Sequence, residues 1–67
     1  MSVAKIMEIT SESTESFEDA IKKGIGRASE TVNQIKGAWV KEQKVICTDN
    51  KVTTYRVDMK VTFVLEK

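Results

Sequence analysis

The chain has 67 residues and a formal net charge of +1, with eleven Lys and Arg against ten Asp and Glu, no histidine and a single cysteine. This composition excludes an internal disulfide, a thiolate zinc site, and any Ser/His or Cys/His catalytic pair. A domain this small buries only about 60% of the surface of its unfolded chain and usually needs disulfides, a metal or oligomerisation as support, so self-association is expected.

The charges are interspersed. The longest basic run, Lys22-Lys23, reads as solvated helix surface and not as a nucleic-acid or membrane footprint. Met1 to Lys5 lack the apolar run of a signal peptide, and no stretch approaches the ~20 apolar residues of a membrane span. With a lone thiol, these features predict a cytoplasmic protein. There are no repeats and no linker, so one domain over residues 1–67 is expected.

Val3 to Thr10 predicts a first strand, with Val3, Lys5, Met7 and Ile9 on one face and Ala4, Ile6, Glu8 and Thr10 on the other. Ser13 is the expected N-cap, its hydroxyl placed to accept an orphan N–H, and Glu15 and Glu18 put negative charge at the positive helix end. Phe17, Ala20, Ile21, Ile25, Ala28, Val32 and Ile35 follow a 3.6 period, which predicts a helix from about Thr14 to about Val32. Gly24 and Gly26 inside it mark either close packing on a sheet or a tolerated weak spot. Asn33 to Gly37 turns the chain, and Ala38 to Thr48 predicts a second strand. Asp49-Asn50-Lys51 carries hairpin-turn chemistry.

The third strand, Val52 to Glu66, is the clearest element. Tyr55, Val57, Met59, Val61, Phe63 and Leu65 alternate with Arg56, Asp58, Lys60, Thr62 and Val64. It would extend roughly 50 Å at 3.3 Å per residue, whereas the helix would reach roughly 28 Å. One helix cannot cover that apolar row. Either the sheet curls around the helix or a neighbouring subunit covers the remainder, and both are expected.

Few residues offer chemistry. No catalytic residue is expected, because no nucleophile has a base. Gly24 and Gly26 lie within a helix and do not read as a phosphate loop. Cys47 is a reactive thiol or a small apolar filler near a strand end. Trp39, the only tryptophan, lies among Gly37, Lys41, Gln43 and Val45 on a strictly alternating strand. An indole among polar residues either stacks a planar ligand or anchors a core or subunit interface. Arg56 either pairs with Glu42 or Asp58 or binds an anionic group bidentately.

The order strand, capped helix, strand, hairpin and long strand resembles the dodecins. The likeness spans nearly the whole chain. It is carried by Ile9-Thr10-Ser11-x-Ser13, Ser16-Phe17, Ala20-Ile21, Arg27-Ala28, Thr31-Val32, Val40-Lys41-Glu42, Tyr55-Arg56-Val57 and Val61-x-Phe63-x-Leu65. The resemblance implies an α+β fold, β-α-β-β, with a three-stranded antiparallel sheet curved around one helix, assembled as a hollow homododecamer. It further implies a non-enzymatic protein that binds, stores and buffers flavin (FMN, riboflavin or FAD), in pairs stacked on a second-strand tryptophan. Some members also hold coenzyme A or metal ions.

Two positions depart from the family pattern. Gly37 stands where flavin-binding dodecins carry the tryptophan of Trp-x-Glu-Val, and Trp39 comes two residues later on the same face, displaced by roughly 6.6 Å. Arg56 stands where they carry a glutamine; it can donate to a ring carbonyl but cannot accept from a ring N–H. Trp39, Arg56, Gln43 and Lys44 are therefore the candidate ligand-binding residues, Lys44 through its likeness to a base that meets a phosphate group. No metal-binding residues are assigned. The alternative is a dodecin-like assembly without flavin, with Trp39 at the two-fold contact and ions or another anionic small molecule bound.

Overall fold

The computed structural model describes residues 3–65. Its elements are β1 (Val3–Ser13), α1 (Phe17–Ala28), β2 (Ile35–Thr48) and β3 (Lys51–Leu65). The strands form one open antiparallel sheet in the order β1-β3-β2, so the strand with the strongest alternation lies in the centre. Glu66, expected at the end of the third strand, lies outside the described residues.

β1 runs three residues past its expected end. Its register with β3 continues without a break from Val3↔Leu65 to Ser13↔Tyr55, because Ser11, Glu12 and Ser13 still find ladder partners. The helix consequently starts later, at Phe17, and Ser16 is its cap, accepting from the Asp19 N–H at 2.9 Å. Ser13 has a different task. It is 4% exposed, its hydroxyl accepts from the N–H groups of Glu15 (2.8 Å) and Ser16 (3.4 Å), and it donates to Asp19 Oδ2 at 2.6 Å. Lys23 Nζ lies 3.1 Å from the same carboxylate oxygen.

The hydrogen bond from Ser13, and after it that from Lys23, hold the Asp19 carboxyl below its ordinary value of 3.8. A carboxyl whose pKa falls on folding adds stability that is complete above its unfolded value and lost as pH drops through the folded one. Thermal melts below pH 3.8 are therefore expected to fall less steeply with acid in Ser13→Ala than in the wild type. Parallel acid limbs would show that Ser13 has no part in the Asp19 shift.

The helix ends at Ala28, earlier than expected. The N–H groups of both Thr31 and Val32 turn back onto the Ala28 carbonyl, at 3.0 and 3.1 Å, and Gln34 takes φ 61°. Ile35, which fits the helical period, instead opens β2 opposite Phe63 and packs on the core. The hairpin loop is two residues, Asp49 and Asn50, with φ of 54° and 67°. These are the left-handed angles that a type I′ turn requires and that Asp and Asn tolerate. Lys51 already pairs with Thr48.

Ala20, Val57, Met59 and Val61 are fully buried, and Met7, Ile9, Phe17, Ile21, Ile25 and Ile35 pack around them. Phe17 and Tyr55 meet edge-to-face with centroids 5.1 Å apart, a preferred aromatic geometry. Gly24 brings the helix close to the sheet. A Cβ there would stand 2.7 Å from Met59 Cε and 3.0 Å from Ser11 Cβ, whereas one at Gly26 would meet nothing within 4 Å. Close packing thus accounts for Gly24 alone.

Twelve helical residues span roughly 18 Å at 1.5 Å per residue, against a molecule 52 Å long. The helix lies on β1 and β3 and leaves β2 uncovered. Val40 and Val45 on β2, and Val52 and Leu65 at the two ends of β3, remain exposed. The apolar row of β3 is nevertheless buried from Val57 to Phe63, and only Leu65 at its end stays exposed; the shortfall of cover falls on β2, beyond Ile35.

Candidate functional site

The sheet face turned away from the helix carries the polar row of β3, and the register of the two outer strands builds three cross-strand rows on it. Glu8, Lys60 and Trp39 lie side by side; then Thr10, Asp58 and Glu42; then Glu12, Arg56 and Lys44. Residues opposite each other in an antiparallel sheet share a face and interact directly.

A break in the β2 register between Val40 and Glu42 makes Lys41 an extra residue. Such a bulge reverses the phase of the strand beyond it. Gln43 therefore pairs with Val57 on the helix-facing side, and it does not share Trp39's face as strict alternation predicts. The true neighbours of Trp39 are Gly37, Lys41 and Lys60. Its indole is 67% exposed, so it is not part of the core.

Polar side chains on this face are largely paired. Thr10 Oγ1 donates to Asp58 Oδ1 at 2.7 Å. Lys41 Nζ crosses β3 to donate to Glu8 Oε2 at 3.2 Å. That bond and the Glu8 charge raise the pKa of the Lys41 ammonium. Arg56 meets Glu12, with Nε 2.6 Å and Nη2 2.5 Å from one carboxylate oxygen. Glu42 and Asp58, the partners expected for Arg56, are not the ones it takes. The reason is geometric: Glu12 lies directly opposite on β1, while Asp58 is two residues along the same strand.

The four candidate residues do not converge within one chain. Lys44 and Arg56 are cross-strand partners and line a depression of about 160 Å³ with Thr10, Glu42, Gln43 and Asp58. Trp39 borders a separate one of about 200 Å³ with Val40, Lys41 and Lys60. Lys60, opposite Trp39, lies four β3 residues from Arg56, roughly 13 Å at 3.3 Å per residue. A pocket that buries a drug-sized ligand holds about 300–1,000 Å³. Each depression can therefore hold only part of a ligand unless a second surface closes over it.

Sequence reasoning missed Glu12 as the partner of Arg56, and it missed Lys60 beside Trp39. A signal for the bulge was present: the apolar residues Ala38 and Val40 are even-numbered, whereas Val45 and Cys47 are odd. Cys47 is exposed and so is not a buried filler. Among the described residues there is no group of three or more Asp, Glu or Cys that could hold a metal ion, and no helix is long and apolar enough to cross a membrane.

Fold and face define a class: a small α+β domain with an open antiparallel sheet, one helix on its apolar side, and a polar side bearing a single exposed indole. The chain belongs to the dodecin family, whose model matches residues 3–66. A dodecin from Streptomyces davaonensis is similar at 30% identity, with 98% of this chain and 97% of that one covered and a TM-score of 0.94. A T. thermophilus dodecin variant is similar at 31% identity over the whole of both chains, also with a TM-score of 0.94. The calcium dodecin of Mycobacterium tuberculosis, a calcium-chelating antigen with a calcium-binding site, is similar at 31% identity over 96% of this chain and 91% of that one, with a TM-score of 0.84. Curated proteins gave no match.

Proposed function

We propose that this chain is a non-enzymatic flavin-binding protein that stores or buffers its ligand within a cytoplasmic homododecameric shell. The observation that carries this reading is the exposed indole of Trp39 on the polar sheet face. A planar ring system stacks on such an indole, and a second copy closing over the uncovered face would supply the volume that one chain lacks. Arg56 and Lys44 lie further along the same face as donors for a ring carbonyl or a phosphate. Gln43 reaches the rim of their depression from the other side of the strand.

Freshly purified protein is expected to absorb in the near-ultraviolet and blue. After removal of small molecules, it is expected to quench the fluorescence of added riboflavin or FMN. Undiminished flavin fluorescence at high protein excess would rule the reading out.

A second reading rests on a different observation: Arg56 is already satisfied by Glu12, and the space over Gly37 is open. On that reading the shell assembles without flavin, Trp39 plugs the two-fold contact, and ions, coenzyme A or another anionic small molecule are held instead. A large homo-oligomer that scatters light unchanged after all small molecules are stripped, and that ignores added flavin, is its signature.

A further inference from the structure

We propose that Lys60 makes the Trp39 site selective for a planar aromatic ligand that bears an acidic group, over a neutral molecule with the same ring. This rests on the flavin reading above and deepens it. Lys60 and Trp39 are direct cross-strand partners, so an ammonium stem and an indole rise side by side from the polar face. The other neighbour of Lys60 is Glu8, but the Glu8 carboxylate is taken by Lys41.

Lys60 thus has no carboxylate partner among the described residues. The other unpaired lysines there, Lys5, Lys36, Lys44 and Lys51, are all exposed, whereas Lys60 is partly buried on the central strand. The stem of Lys60 is held on the central strand while its ammonium is engaged by no carboxylate at ion-pair distance, which leaves it available to an anion brought in by a ligand. The ring of such a ligand would lie on Trp39, and its acidic group would make a charge-assisted contact with Lys60.

The test is a titration of the stripped protein with FMN and with riboflavin, which share a ring and differ by one phosphate. Binding is followed by the fluorescence of Trp39, the only tryptophan. At low salt, FMN is expected to bind at least about tenfold more tightly, the gain of one charge-assisted contact. Lys60→Gln should bring FMN to the riboflavin level and leave riboflavin unchanged, while Lys51→Gln, at the distant hairpin, should preserve the preference. Equal affinities in the wild type would overturn the inference and leave the flavin reading standing. So would a Lys60→Gln variant that weakens both ligands alike, since Lys60 would then act only on the fold. Failure of both flavins to quench Trp39 would remove the flavin reading and the inference with it.

Discussion

Met59→Ala is expected to destabilise the fold by about 2–5 kcal/mol, the range for truncating a buried methionine. Met59 is fully buried and lies at the centre of the sheet, opposite Ile9 of β1 and Val40 of β2. Its terminal methyl fills the space that Gly24 leaves at the helix crossing. The rigid sheet on both sides prevents collapse of the cavity, so the cost should lie in the upper part of the range. A domain of this length has a total stability of roughly 3–10 kcal/mol. The loss is therefore a large fraction of the whole, and the variant should melt at a markedly lower temperature than the wild type. Urea unfolding followed by far-ultraviolet circular dichroism measures the loss, and a change below about 1 kcal/mol would contradict the assignment of Met59 to the core.

Trp39→Ala is expected to have the largest effect on ligand binding. Stacking on an aromatic side chain is worth about 1–3 kcal/mol, so flavin affinity should fall by about fivefold to 150-fold. The side chain is exposed and outside the core, so the circular dichroism spectrum should be unchanged. The same variant separates the two functional readings. Lost flavin quenching with an intact oligomer supports the ligand platform. A smaller oligomer in light scattering, with no flavin effect before or after the change, supports the plug at a two-fold contact.

The parts of the fold that the sequence made legible are those with one uninterrupted period. β3 alternates through Tyr55 to Leu65, and each buried position on it falls on the predicted row. The helix was legible at its centre but not at its ends. Ser13 and Ser16 are chemically equivalent caps, and the choice between them depends on how far β1 stays paired with β3. Ile35 fits a helical period and a strand equally well, and a tertiary contact with the core decides for the strand. The candidate site was less legible for the same kind of reason. Trp39 and Arg56 stand out by type, but which residues face them is set by register across three strands, and one bulge at Lys41 reassigns Gln43. Glu12 could be paired with Arg56 only once β1 was known to reach Ser13.

The bulge also has a consequence for how this site can vary by mutation. β2 is divided by register shifts at Lys36 and at Lys41 into short runs, each with its own parity. Within the run between them, only positions 37 and 39 project from the polar face. The indole can therefore occupy just two berths before the chain changes frame, and this protein uses the second of them. Deleting Lys41 alone would bring the two sides of that break into one frame. The segment that holds Trp39 and the segment that holds Lys44 could then no longer both keep their present partners on β3. One lysine, with no contact to the indole required, fixes the spacing between the two halves of the candidate site.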